Sequence, residues 1–143
     1  MIVAAVDQSA HARTVVREAA KLTASTNEPL HVLHVMNQSE FVSRQRDSAE
    51  TTGTAIDLEE IREIASEHAE TVAERASIDV EYTPVGVVGD AADGVVEYAT
   101  MNDASYIIVG PRSRSPTGKA VFGSVAQSIL LNASCPVVSV VDQ

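Results

Sequence analysis

The sequence has a single cysteine, Cys135, which excludes an internal disulfide and a zinc site built from cysteines alone. Positive charge is scarce too. Lys21 and Lys119 are the two lysines among ten cations, against twenty Asp and Glu, for a formal net charge of −10. With an isoelectric point near 4.7, most of the surface would repel a phosphate backbone, so no nucleic-acid partner is expected. No apolar run approaches the roughly 20 residues that cross a bilayer, and Met1 to Asp7 has neither the basic flank nor the apolar length of a secretory leader. The expectation is a cytoplasmic protein with no membrane partner. Two sources of the acidity stay open, a high-salt interior and selection for solubility alone.

What is present suits one domain over residues 1–143. Hydrophobic residues make up 45% of the sequence and charged residues 21%, and a chain of this length hides about 68–70% of its unfolded surface on folding. Global disorder is excluded. Cys135, set among Ala133, Ser134, Pro136 and Val137, reads as a small buried thiol.

Along the chain, Ile2 to Val6 is an apolar run ending at Asp7, the pattern of a buried parallel strand. Ser9 is the expected N-cap of a helix carrying Ala12, Val15, Val16, Ala19 and Ala20. Leu30 to Met36 gives a second strand. Asn37 to Asp57 shows no apolar period and is expected as a long connection, with a short helix inside it left open. Leu58, Ile61, Ala65, His68, Val72 and Ala76 form one helical stripe, with the glutamates largely outside it. Val80 to Val88 is a third strand, placed at a sheet edge by Pro84. Gly89 and Asp90 turn the chain into a short helix from Ala92 to Met101. Ser105 to Gly110 is the fourth strand, Ser124 to Asn132 a helix, and Val137 to Val141 the fifth strand. Apolar strands alternating with helices predict a doubly wound, Rossmann-like α/β fold: a parallel sheet with helices on both faces. Ligands of such sheets bind beyond the carboxyl ends of the strands, where the strand order reverses.

The segment from Gly110 to Ser124 joins a strand end to a helix start and suits an anion. Its glycines permit close backbone approach, the helix N-terminus presents N–H groups, Ser113 and Ser124 add hydroxyls, and Arg112, Arg114 and Lys119 concentrate positive charge. A Walker A loop does not fit, because Ser113 stands at the first glycine and Ala120 follows the lysine. A dinucleotide fingerprint fails as well, since Asp7 to His11 contains no glycine. His31 and His34, three apart in a strand, point to opposite faces and share no metal ion; His68 reads as a packing residue, and no metal site is expected. No Ser-His-Asp arrangement is recognisable, so no catalytic residue is assigned.

These residues resemble the universal stress protein A family over essentially the whole chain. The resemblance rests on Asp7 after the first strand with Ser9 two residues on, the Gly89-Asp90 turn, the strand end at Gly110, the Gly123-Ser124 helix start, and Ser134 to Val138. Nucleotide-binding members carry Gly-x2-Gly-x9-Gly-Ser/Thr; here Gly110, Gly123 and Ser124 are in register, and Ser113 replaces the second glycine. The exchange matters wherever the backbone needs positive φ or closest approach. The resemblance implies strand order 3-2-1-4-5 and a homodimer that binds ATP, with magnesium, as a regulatory ligand in stress response. It implies that Asp7, Ser9 and the backbone near Val35 and Met36 meet the adenosine end. Gly89, Gly110, Arg112, Ser113, Gly123, Ser124 and Val125 would then meet the ribose and phosphates. ATP hydrolysis is expected to be slow at most, for want of a dedicated base. The alternative is a nucleotide-free dimeric interaction module. In both, the apolar last strand, Val137 to Val141, is the expected dimer interface, since it would be a hazardous open edge.

Overall fold

The computed structural model describes residues 1–52, 57–110, 113, 114 and 120–141. Five strands, β1 (Ile2–Ala5), β2 (Leu30–Met36), β3 (Tyr82–Val88), β4 (Tyr106–Val109) and, after a short ribbon, β7 (Val137–Ser139), form one parallel sheet in the order β3-β2-β1-β4-β7. Counting only these five, the order is the 3-2-1-4-5 expected. The register runs Ile2 to Leu30, Ile2 to Tyr106, and Ile107 to Val137. Pro84 sits in β3, an edge strand, as its missing N–H requires.

Alternate residues of each strand face opposite helix layers. Ile2, Ala4, Leu30, Val32 and Ile108 pack with α1 (Ala12–Thr26) and α3 (Leu58–Ala76). Val3, Leu33, Val35, Ile107 and Val109 pack with α4 (Ala91–Met101) and α5 (Ser124–Asn132). Burying each Ile or Leu completely contributes about 1.5–3 kcal/mol, and Ile2, Leu30, Leu33, Ile61, Ile107, Ile108 and Ile129 are all at most 1% exposed. On the α3 stripe, Ile61, Ala65, Val72 and Ala76 are buried while Leu58 is exposed.

Three local readings need correction. The connection after β2 contains a helix, α2 (Gln38–Thr52). Its apolar residues are too few to show a stripe, but Asn37 caps it by accepting the Glu40 N–H at 2.9 Å, and Phe41 anchors it on Met36, Ile61 and Ala65. Ser9 does not cap α1: the N-cap is His11, and Ser9 gives both its N–H and its hydroxyl to Asp7 Oδ1, at 2.9 and 2.6 Å. The nearby carboxylate outcompetes the helix end for the serine. The third correction lies between Gly110 and Ser124, where Ser113–Arg114 (β5) and Ala120–Val121 (β6) pair antiparallel. Asp57 and Asp90 cap α3 and α4 through the N–H groups of Glu60 and Asp93.

Candidate functional site

Beyond the carboxyl ends of β1, β2 and β4 lies a cleft of about 360 Å³. Leu33, Val35, Val95, Val109 and Ile129 give it an apolar wall; Asp7, Ser9, Asn37, Glu40 and Ser124 give it a polar rim. The wall follows from strand alternation, because Leu33, Val35 and Val109 all point to the α4/α5 face. Val35 is seated tightly: a Cβ on Gly94 of α4 would stand 2.9 Å from both of its γ carbons.

At the rim stands the N-terminus of α5, whose first residues, Ser124, Val125 and Ala126, all line the opening. Unlike α3 and α4, this helix has no side-chain cap, because its N-cap is Gly123. An uncapped helix start is a ready acceptor for an anion. Gly123 has φ −69° and ψ 170°, a backbone open to any residue, so its lack of a side chain keeps space rather than permitting a turn.

Seven of the expected residues line this cleft: Asp7, Ser9, Val35, Gly110, Gly123, Ser124 and Val125. Met36 and Gly89 are not among its lining residues. The Met36 side chain points to the α3 face, and its carbonyl accepts the Gly89 N–H at 3.0 Å. Gly89 has φ +149°, a conformation that favours glycine, so the turn alone accounts for it. Gly110 is required by packing, since a Cβ there would lie 2.7 Å from His11 Nε2 and 2.9 Å from Val15 Cγ2. Arg112 and Lys119 lie outside the described residues. Ser113 has the extended backbone of β5, paired with Val121, a conformation that does not need glycine.

The histidines proved more connected than their spacing suggested. His31 and His34 do point to opposite faces. On the α4 side, His31 Nδ1 meets the Tyr98 hydroxyl at 2.6 Å; burial and then the N-terminal ammonium lower its pKa, and burial raises that of Tyr98. On the other side, His34 contacts the Val6 carbonyl and Glu40, and His68 packs against it with the two rings tilted by 59°. The signal for this group was present as the Asn37-x-x-Glu40 start of α2, which brings Glu40 back toward the end of β2. His11 Nε2 reaches the Val140 carbonyl at 3.0 Å, tying α1 to the end of β7. Burial raises the Cys135 thiol pKa, and the residue packs partly buried against the α4/α5 core. Among the described residues no group of three or more His, Cys, Asp or Glu is placed to hold a metal ion, and no helix is long and apolar enough to cross a membrane.

Comparison with known proteins places these features in a wider group. The sequence model of the universal stress protein family matches residues 1–140. A universal stress protein of Mycolicibacterium smegmatis is 42% identical over 57 residues, spanning 40% of this chain and 42% of that protein. The solved universal stress protein of Archaeoglobus fulgidus is 30% identical, with 96% of each chain covered and a TM-score of 0.64. A structure of the Archaeoglobus fulgidus universal stress protein in complex with dAMP is 26% identical over 96% of this chain and 94% of that one, with a TM-score of 0.61.

Proposed function

We propose that this chain, which belongs to the universal stress protein family, binds an adenine nucleotide, ATP with magnesium, as a regulatory ligand in stress response. The observation that carries the proposal is the uncapped start of α5 opening on the same cleft as an apolar wall and the Asp7 carboxylate. The charges orient the guest. Phosphates belong at the α5 N-terminus, where N–H groups and the helix dipole favour negative charge. Ribose hydroxyls belong at Asp7, which accepts hydrogen bonds and would repel a phosphate, and the base belongs against Leu33, Val35 and Val95. The related dAMP complex supports the choice of an adenine nucleotide. The extended backbone at Ser113 supports it further, because losing that glycine costs no φ freedom.

Binding is a signal here rather than the start of a reaction, and hydrolysis is slow at best. Calorimetric titration with ATP and magnesium, repeated with AMP, tests the proposal. One nucleotide per chain is the expected result, and Asp7→Ala should weaken it.

The nucleotide is proposed to act on a homodimer formed through β7 and its continuation, Val137 to Val141. Val138 is 39% exposed on this edge strand, and Leu131 and Met101 are 84% and 77% exposed on α5 and α4. The same apolar surface favours the second reading, a nucleotide-free dimeric interaction module. A dimer in solution together with no heat on adding any adenine nucleotide would select that reading.

A further inference from the structure

Two histidines and a glutamate to which the nucleotide reading gives no role meet at the rim of the cleft, which His34 and Glu40 help to line. His34 is 3% exposed; its Nδ1 lies 2.9 Å from the Val6 carbonyl oxygen and its Nε2 3.2 Å from Glu40 Oε2, in the first turn of α2. A carbonyl oxygen only accepts, so Nδ1 carries a hydrogen. An ionised carboxylate also only accepts. The contact between Nε2 and Oε2 therefore needs a second proton, on the ring or on the carboxyl group. Without it, two electron-rich atoms face each other where water hardly reaches, and the contact turns repulsive.

On its own helix Glu40 stands one turn before Arg44. From α3, His68 packs its ring against His34 with 4.4 Å between centroids, and its Nε2 donates to the Asp7 carbonyl at 2.9 Å. The Asp7 carboxylate accepts from Ser9, while Gln8 donates to Glu40 Oε2 at 3.3 Å. Neighbouring β3 contributes Gly86, opposite His34 in the register. From α1 come the apolar Ala12 and Val15, and His11 turns away to Val140.

The geometry points to a proton-operated latch: His34, backed by His68, adds to the Asn37 cap and the Phe41 anchor in holding Glu40 and the first turn of α2 at the cleft mouth while a proton bridges Nε2 and Oε2. Loss of that proton loosens the turn. It also leaves the pair with a net negative charge beside the cleft. Resting on the nucleotide reading above, the latch makes retention of an anionic nucleotide tighter on the acid side of neutrality, because closure and charge act in the same direction.

The latch is read first without nucleotide. Hydrogen exchange at the Glu40 and Phe41 amides, which bond to Asn37 at 2.9 and 3.0 Å, is compared at about pH 6 and about pH 8.5 after correction for intrinsic rates. Protection should fall about tenfold at the higher pH, as loss of one charge-assisted hydrogen bond implies. Glu40→Gln should abolish that pH response, because its amide donates to the neutral Nε2 without a bridging proton. Glu40→Ala should show the lower protection at both values. Equal protection of the parent protein at both pH values, or a pH response that survives in Glu40→Gln, overturns the latch. ATP is then titrated at both pH values into the parent and Glu40→Gln, so that the nucleotide's own titration cancels. An affinity about tenfold tighter at about pH 6 in the parent alone supports gating; identical pH dependence in the two overturns it. If no ATP binds at any pH while the exchange response is present, the nucleotide reading fails and the latch is supported.

Discussion

Gly110→Ala adds one carbon at the crossing of β4 and α1, and the structure fixes what that carbon meets. The new Cβ would lie 2.5 and 2.7 Å from His11 Cδ2 and Nε2, and 2.9 Å from Val15 Cγ2. Val15 is buried and cannot swing clear; His11 can move only by giving up its bond to the Val140 carbonyl. Overpacking of this kind costs about 1–3 kcal/mol, and breaking the hydrogen bond costs about another 0.5–1.5 kcal/mol. The sum is roughly 1.5–4.5 kcal/mol. With a urea m-value of about 1–3 kcal/mol/M, the unfolding midpoint should drop by about 0.5 M or more. The double variant His11→Ala with Gly110→Ala removes two of the three clashes, so its loss should be smaller than the sum of the single losses. Urea unfolding of the four proteins, followed by circular dichroism, closes this cycle. A Gly110→Ala midpoint within error of the parent, or strictly additive losses, would refute the claim that packing against His11 requires this glycine.

Val138→Lys should convert a dimer to a monomer by light scattering while leaving the fold intact. Val140→Lys should unfold the protein instead, because Val140 is 7% exposed and packs in the core under α1 and α3; a folded monomer from both would contradict that distinction. Gly89→Ala should destabilise by about 1 kcal/mol in thermal unfolding, through backbone strain at φ +149° and not through a clash, as nothing lies within 4 Å. Acid should weaken the fold in two steps. The lowered pKa of His31 means that the unfolded chain takes up its proton first, so that contribution declines as pH falls below 6.5. Glu28, whose carboxyl is lowered by the Ser105 hydroxyl and then by the N-terminal ammonium, contributes above 4.5, and its share is lost as pH falls through the folded value. His31→Gln should flatten the first step in a series of unfolding curves; an unchanged first step would refute its assignment.

The sheet was legible because its signals are strong and local. The apolar runs at Ile2, Leu30, Ile107 and Val137 have few alternatives to burial, and Pro84 excludes a central position for β3. What escaped depends on choices between neighbours. Asp7 takes the Ser9 hydroxyl before the helix can, and α2 is fastened by Phe41 and Glu40 rather than by a continuous stripe. Of the candidate site, Asp7, Ser9, Val35, Gly110, Gly123, Ser124 and Val125 converge because they lie near element ends on the carboxyl side of the sheet. The partnership of His34 with His68 could not be read from spacing, since it joins β2 to α3 across 34 positions (68 − 34). Glycine identity also misleads: Gly110 serves packing and Gly89 a turn, and of the three only Gly123 lines the cleft at a helix start, with a backbone open to any residue.

The most direct test is a calorimetric titration of ATP with magnesium into nucleotide-stripped protein, at low and high salt, in parallel with Gly123→Leu. Because the Gly123 backbone suits any residue, the variant should fold normally while its side chain blocks the α5 N-terminus. The predicted result is saturable binding of one ATP per chain in the parent and none in the variant. Absence of heat and of thermal stabilisation in the parent at both salt concentrations, or equal binding by the two proteins, would contradict a nucleotide site in this cleft.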